Sequence, residues 1–351
     1  MTEYRNILVY AMVNLGDVVL TTSAIALLKE IYPDARITML SRPIVREVIE
    51  RNPVIDDVIL FDYKAKQNSM GRMWAMVREL RARKFDLAIS FDRKLRPALL
   101  CLFAGIPVRV GPSRVFEDKP SRVTWLYTHT VPIAHDLENT LQAETYQEII
   151  RGFTGAQGHG RPVLPAPSTA ECAKAATILS SAGTRHKIGL CVKGTFGLKT
   201  WPKAYFAEVV RALHARYDAA FYLTGAPGDY AYAEEVIDAI GLPVENLCGK
   251  TNLMELAALY AQLDLLVTVD TGGAHIAAVT GVPMVVMFGC TSPRRWHPIS
   301  EHARAFTSNE PCCPCTYRET ECPSYPQPHC LYHVRPEAVT EACIRFLDGT
   351  M

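Results

Sequence analysis

Apolar residues along the first half of the chain follow two alternating patterns. Short unbroken apolar runs predict buried β-strands, and the stretches between them carry apolar residues at the spacing of a helix. The predicted strands are Asn6–Ala11, Arg36–Leu40, Asp57–Phe61, Asp86–Ser90 and Val108–Val110, with helices near 17–32, 44–51, 69–83 and 94–103. This alternation predicts a parallel sheet covered by helices on both faces.

The same alternation begins again after a stretch rich in Gly, Pro and Ser at 152–169, which is interpreted as a linker. The strands predicted there are His186–Val192, Ala219–Thr224, Leu265–Val269 and Met284–Phe288, with helices near 169–182, 203–216, 230–240 and 252–261. We therefore predict two doubly wound Rossmann-like domains, at 1–160 and 161–335, and a closing helix within 336–351. Such sheets bind ligands at the carboxyl ends of their strands, which predicts one inter-domain cleft. Two domains without a shared site are the alternative.

The turn Asp270–His275 gives the strongest functional signal. It joins the apolar run Leu263–Val269 to a predicted helix that Gly281 ends. Free backbone N–H groups and the helix dipole favour an anion at such a helix start. The pattern favours a phosphate or pyrophosphate site over an ordinary turn. The residues that would line this site are Asp270, Thr271, Gly272, Gly273 and His275.

A second strand-to-helix turn, Asn14-Leu15-Gly16-Asp17, follows the first predicted strand. Its single glycine does not match the dinucleotide fingerprint, which has three spaced glycines, so we expect no nicotinamide or flavin cofactor. Asp17 at the start of a helix is either a cap or a catalytic carboxylate, and position alone favours the cap.

Basic residues beyond other predicted strands are candidate anion contacts. Thr195 and Lys199 lie in the loop after His186–Val192, ahead of Pro202, which is typical of a first helical position. Lys199 would neutralise a phosphate on the neighbouring turn, although a solvated loop lysine is the commoner case. In the front half, the candidates for an anionic acceptor are Arg93, Lys94 and Arg114.

Size and charge exclude several classes of protein. The chain has 351 residues, 49% of them hydrophobic, which is enough for the cores of two domains. Its 37 Lys and Arg residues nearly balance 36 Asp and Glu, which argues against a general nucleic-acid binder. No signal peptide is recognised, and no apolar run reaches the ~20 residues of a membrane span. We expect a cytoplasmic protein. Peripheral contact with the inner face of the membrane is an open alternative.

Eleven cysteines are not expected to form disulfides in a reducing compartment. Four of them, Cys312, Cys315, Cys322 and Cys330, have the spacing C-x2-C-x6-C-x7-C in a Pro-rich stretch without periodicity. Four thiolates at such spacing suit a structural zinc or iron ion, with free thiols as the alternative. Cys313, His329 and His333 are further candidate ligands.

Three motifs give the chain a resemblance to a known family. They are Asn14-Leu15-Gly16-Asp17-Val18-Val19-Leu20-Thr21, Lys199-Thr200-Trp201-Pro202 and Asp270-Thr271-Gly272-Gly273-Ala274-His275. In their order and placement they resemble glycosyltransferase family 9, the heptosyltransferases of lipopolysaccharide synthesis, over nearly the whole chain. The resemblance implies the GT-B fold and a nucleotide-sugar donor, typically ADP-heptose, held by the second half.

The resemblance also implies roles for individual residues. Asp17 would be the general base for a hydroxyl of a glycan, glycolipid or protein acceptor. Lys199 would stabilise the leaving diphosphate, so that transfer needs no divalent metal or other cofactor. Asp270 would contact the donor sugar. Contacts around the phosphates would come from Thr195, Thr271, Gly272 and His275.

Two other functions stay open on the sequence alone. A nucleotide-sugar epimerase or isomerase on a similar two-half fold would act on the donor without any acceptor. A non-catalytic sugar-nucleotide binding protein would release no nucleotide at all.

Overall fold

The computed structural model of the protein describes residues 3–62, 70–115, 119–183, 185–315, 322 and 329–350. The chain divides into two compact units, Met1–Ala166 and Pro167–Met351. Each unit contains a six-stranded sheet whose neighbouring strands all run parallel. The predicted class, two doubly wound Rossmann-like domains in series, is confirmed.

The sheet of the first unit has the strand order β3-β2-β1-β4-β5-β8. Its central strands are buried along nearly their whole length, as expected for a sheet covered on both faces. The strands are β1 (Asn6–Ala11), β2 (Arg36–Ser41), β3 (Asp57–Leu60), β4 (Leu87–Ser90), β5 (Val108–Pro112), β6 (Arg114–Val115), β7 (Lys119–Pro120) and β8 (His129–Val131), of which β6 and β7 form a separate antiparallel pair. The helices are α1 (Leu15–Ile31), α2 (Arg46–Ile49), α3 (Met70–Ala82), α4 (Leu95–Ala104) and α5 (Gln142–Thr154).

The sheet of the second unit repeats this arrangement in the order β11-β10-β9-β12-β13-β14. Its strands are β9 (His186–Cys191), β10 (Ala219–Leu223), β11 (Val244–Asn246), β12 (Leu265–Val269), β13 (Met284–Phe288) and β14 (Ala303–Thr307). The helices are α6 (Thr169–Leu179), α7 (Lys203–Arg216), α8 (Tyr230–Ile240), α9 (Leu253–Tyr260), α10 (Gly272–Thr280), α11 (Pro293–Trp296), α12 (His329–Tyr332) and α13 (Pro336–Leu347). Within the described part of the chain, none of these helices is long and apolar enough to cross a membrane.

The missed strands are short or lie at an edge, whereas one missed helix, α5, is 13 residues long. β8, β11 and β14 are outermost strands, and their residues are less buried than those of the central strands. Such strands lack the continuous apolar run that identifies a strand covered on both faces. The helix predicted near 44–51 is a 3-10 turn followed by the four-residue α2.

The segment predicted as a linker is anchored on the first unit. The Gly160 N–H donates to the side-chain oxygen of Gln147 at 2.7 Å, and the Val163 N–H donates to the Thr22 hydroxyl at 2.8 Å. A Cβ on Gly160 would lie 2.0 Å from the carbonyl oxygen of Ser23, so this close approach requires glycine. The part of this stretch from Gly160 to Val163 is therefore packed on the first unit.

Candidate active site

The turn between β1 and α1 places Asp17 in the first turn of the helix. Asn14, the residue before α1, makes no side-chain capping hydrogen bond. The Asp17 carboxylate accepts a hydrogen bond from the Tyr146 hydroxyl of α5, with 2.9 Å between the oxygens. Tyr146 is buried, and its ring packs edge-on against Phe91. A partly exposed carboxylate held by a rigid donor from another helix is suited to meet a substrate.

Asp92, just beyond β4, is a buried carboxylate that the sequence analysis missed. It accepts hydrogen bonds from the Met12 N–H at 2.5 Å and the Lys94 N–H at 2.8 Å. Burial raises the pKa of Asp92, although these hydrogen bonds and the charge of Lys94 oppose the shift. Asp92 thereby joins the ends of β1 and β4. Its position directly after an apolar strand is the signal that would have identified it.

The three predicted acceptor contacts lie at the carboxyl edge of the first sheet. The Lys94 ammonium donates to the Met12 carbonyl at 2.7 Å, which ties it to the end of β1. Arg93, beside it, is exposed, and so is Arg114 on β6, directly after β5. β4 and β5 are neighbours, so the structure gathers these cations along one edge of the sheet.

The start of α10 combines an uncapped helix N-terminus with a buried imidazole. Thr271 precedes α10 and makes no side-chain capping hydrogen bond. His275 is 4% exposed, and its Nδ1 has no hydrogen-bond partner within the described residues. Burial lowers the pKa of His275 to about 4; Asp270 opposes this shift, and the charges of Lys199 and His297 add to it. A neutral imidazole beside open helix N–H groups suits a phosphate oxygen.

Lys199, Asp270 and Thr291 form a buried polar group beside this helix start. The Lys199 ammonium donates to Asp270 Oδ2 at 2.7 Å, and the Thr291 hydroxyl donates to the same oxygen at 2.5 Å. Lys199 is therefore not a solvated loop lysine. Thr291 was missed, and its position two residues after the Phe288-Gly289 end of a buried strand was the available signal.

The loop that carries Lys199 is fixed by its neighbours. Trp201 is buried, and its indole N–H donates to the Val334 carbonyl at 2.9 Å. A Cβ on Gly289 would lie 2.0 Å from the carbonyl oxygen of Leu198, so glycine allows the loop to pass over the end of β13. Pro202 is the residue before α7, one position earlier than the sequence predicted.

Thr195 stands apart from the buried group formed by Lys199 and Asp270. Its side chain is exposed in the loop after β9. Lys193, at the start of the same loop, forms an ion pair with Asp229 at 3.0 Å. Asp229 also accepts the Ala226 N–H at 3.0 Å and so closes the turn after β10.

The four predicted metal ligands are not gathered in the described residues. There, no group of three or more His, Cys, Asp or Glu side chains could hold a metal ion. The Cys330 thiol is hydrogen-bonded to Cys313, a further candidate outside the predicted set of four, and this bond together with burial raises the pKa of Cys330. Cys313 in turn donates to the Gly289 carbonyl at 2.9 Å. Residues 316–321 and 323–328 of this Cys-rich segment lie outside the described residues.

Residues 73–325 match the model of a family described as glycosyltransferase family 9 (heptosyltransferase). The chain belongs to glycosyltransferase family 9. The protein is therefore a glycosyltransferase. The matched region includes the turn Asp270–His275 and Lys199, whereas Asp17 lies ahead of it.

Similar proteins span almost the whole chain. Lipopolysaccharide heptosyltransferase 3 of Escherichia coli is 28% identical over 306 residues, which cover 84% of this chain and 86% of the relative. A family 9 glycosyl transferase from Veillonella parvula has a TM-score of 0.84 at 23% identity, covering 99% of both chains. The E. coli ADP-heptose lps heptosyltransferase II has a TM-score of 0.79 at 23% identity, covering 98% of this chain and 99% of that one. The fold is therefore the GT-B fold.

A more distant likeness relates the fold to a second class of enzyme. A Listeria monocytogenes protein named for UDP-N-acetylglucosamine 2-epimerase activity has a TM-score of 0.51 at 15% identity. This is a likeness of fold alone, and the family match decides for glycosyl transfer.

Proposed function

We propose that the protein transfers a heptose from ADP-heptose to a hydroxyl group of a lipopolysaccharide-type glycan or glycolipid. The names of its relatives support this donor and this class of acceptor. Within the chain, the observation that carries the proposal is the buried Lys199–Asp270–Thr291 group beside the uncapped start of α10.

In this proposal the second unit binds the diphosphate of the donor. The N–H groups of Gly272 and Gly273 and the positive end of the α10 dipole face the phosphate oxygens. His275 is neutral at pH 7, so its Nδ1 acts as a hydrogen-bonding group and not as a charge. The exposed hydroxyl of Thr195 and the half-buried hydroxyl of Thr271 add contacts at the edges of the diphosphate.

Lys199 supplies the positive charge for the departing diphosphate. When the anomeric C–O bond breaks, both electrons stay with the phosphate oxygen, and negative charge builds up on ADP. A buried ammonium stabilises that charge more strongly than a solvated one, because the surroundings screen it less. Asp270 and Thr291 hold the ammonium in place before the donor arrives. Asp270 also contacts the donor sugar.

Asp17 is the general base of the proposed reaction. The acceptor oxygen forms a bond to the anomeric carbon while its proton passes to the Asp17 carboxylate, and the configuration of that carbon inverts. The Tyr146 hydroxyl orients the carboxylate. Arg93, Lys94 and Arg114 attract the anionic acceptor to the same sheet edge. A base of this kind contributes typically ~10²–10⁴-fold to the rate.

No metal ion takes part in this transfer. A structural zinc or iron ion at Cys312, Cys315, Cys322 and Cys330 stays a prediction, and the Cys313–Cys330 contact does not fit that set of ligands. Elemental analysis of protein purified without chelators tests it. About one ion per chain, lost in Cys315→Ser, would support the site.

The activity is tested by incubating the protein with ADP-heptose, with and without a truncated lipopolysaccharide core that lacks heptose. We expect ADP release and a heptose-sized mass gain only when both substrates are present. Conversion of the donor without acceptor would instead indicate the epimerase. Donor binding without any turnover would indicate a sugar-nucleotide binding protein.

A further inference from the structure

The outer face of α4 carries an exposed apolar stripe. Leu95, Leu99 and Phe103 recur every four residues, a spacing that puts them on one side of a helix. Leu95 and Phe103 are each 48% exposed, and Leu99 between them is half-buried. The opposite side of α4, which includes Cys101, is buried in the core of the first unit. A helix that covers a sheet normally turns a polar face outward, so this stripe needs an explanation.

Two exposed tryptophans flank the stripe. Trp74 of α3 is 50% exposed, and its ring centroid lies 5.8 Å from that of Phe103. Trp125, in the 3-10 turn Thr124–Leu126, is 69% exposed. α4 packs against α3 on one flank and against this turn on the other. We call the combined outer face the α3–α4 surface, and its apolar residues are Met70, Trp74, Leu95, Leu99, Phe103 and Trp125.

Positive charge surrounds these apolar residues. Glu79 is the single acidic residue of α3 and α4, and it pairs with Arg83 at 3.0 Å. The chain as a whole has a formal net charge of only +1, so the positive charge is concentrated locally. The exposed basic residues of this region are Arg72, Arg78, Arg81, Arg96 and Arg122.

We propose that the α3–α4 surface docks on the anionic lipids of a membrane. Trp and Phe rings settle where headgroups meet acyl chains, and Arg is drawn to anionic headgroups. A second copy of the chain would bring the same arginines against these arginines, and like charges oppose such a contact. Charge complementarity therefore selects an anionic bilayer.

The α3–α4 surface adjoins the predicted acceptor edge. α4 begins at Leu95, directly after Lys94 at the carboxyl edge of the first sheet. If the proposed function holds, a glycolipid acceptor would reach that edge from the bilayer on which the surface rests. Lipid binding itself does not depend on that function, so vesicle binding and the transfer assay can fail separately.

Vesicle binding tests the docking surface. The full chain is mixed with phosphatidylcholine vesicles, with and without phosphatidylglycerol, and sedimented. We expect binding only to the anionic vesicles, weakened by added salt. Trp201 and Trp296 are buried, so a blue shift of tryptophan emission on binding would report Trp74 and Trp125.

Two sets of variants separate the apolar and the electrostatic contribution. Trp74→Gln with Trp125→Gln should weaken binding about tenfold or more, because both rings lose apolar burial. Arg72→Gln with Arg78→Gln should weaken it by roughly fivefold per residue. Matched controls outside the surface are Tyr230→Gln, which removes an exposed ring, and Lys250→Gln. Thermal unfolding checks that each variant is folded.

Three results would overturn the proposal. One is equal binding to neutral and anionic vesicles. Another is a tryptophan double variant that binds as tightly as the controls. The third is a dimer in sedimentation velocity that this double variant dissociates, which would assign the surface to a second copy of the chain.

Discussion

The two units share one strand order. A buried aspartate follows the corresponding strand in each unit, yet the two aspartates have different roles. Asp92 follows β4 and Asp270 follows β12, and each of these strands is fourth in its sheet, paired with the first strand of its unit. Asp92 accepts backbone N–H groups and joins two strand ends. Asp270 accepts a lysine ammonium and a threonine hydroxyl. The same topological position thus serves assembly of the sheet in the first unit and placement of a cation in the second.

The candidate catalytic side chains of the two units also differ in how far they are buried. In the first unit Asp17 is partly exposed and its carboxylate accepts a hydrogen bond from Tyr146. In the second unit Lys199 and Asp270 are a buried ion pair whose side chains are 11% and 7% exposed. Changes to Asp17 should therefore affect the reaction alone, whereas changes to Lys199 should affect both the reaction and the fold.

The largest expected effect is on the reaction rate. Asp17→Asn keeps a hydrogen-bond acceptor for Tyr146 but removes the base, so kcat should fall at least ~10²-fold. ADP affinity and the melting temperature should stay near those of the parent protein. Initial rates, calorimetry and thermal unfolding measure the three quantities. A variant with nearly normal turnover would return Asp17 to the role of a helix-start carboxylate.

The next largest effect concerns stability. Lys199→Met leaves the Asp270 carboxylate buried without its cation, which costs about 3–5 kcal/mol in the free energy of unfolding. Lys29→Met in the first unit is the matched control, because its ion pair with Asp56 at 2.9 Å is partly exposed to solvent and its loss should cost less. Urea unfolding of both variants compares the two units. Equal losses in the free energy of unfolding would mean that the buried Lys199–Asp270 pair contributes no more to stability than the control contact in the first unit.

The sequence predicts the parts of the molecule that rest on local pattern. The central strands were found because strands buried on both faces are continuous apolar runs, and the β12–α10 turn because glycines end such a run. Edge strands such as β14 were missed, because a half-exposed strand carries polar residues that break the run.

Contacts distant in sequence could not be predicted in this way. Tyr146 lies on α5, far along the chain from Asp17, and only the packing of α5 on α1 brings them together. The sequence predicts Lys199 as a phosphate contact but not its burial or its ion pair with Asp270, which lies 71 residues further along the chain. Thr291 carries no motif of its own, and its role exists only through Asp270.

A third prediction concerns pH. The pKa of His275 is near 6.5 in the unfolded chain and about 4 in the folded protein, so the folded state binds fewer protons between these values. The neutral His275 imidazole therefore makes its full contribution to the free energy of unfolding above pH 6.5, and this contribution is lost as the pH falls towards 4. The loss amounts to about 3 kcal/mol. His275→Gln should flatten the stability profile in this window, whereas the exposed His302→Gln should not. An unchanged profile in His275→Gln would show that this imidazole is not buried in its neutral form.

The smallest expected effect addresses the contact that distinguishes Asp270 from Asp92. Thr291→Val has nearly the same shape as threonine but removes the hydroxyl that donates to Asp270 at 2.5 Å. A hydrogen bond to a charged group contributes about 1.5–3 kcal/mol, so the free energy of unfolding should fall by that amount. Because Asp270 also holds Lys199, ADP should bind more weakly, and Thr291→Ser should restore both properties. A valine variant that loses stability but binds ADP normally would show that Thr291 supports the fold without positioning the lysine.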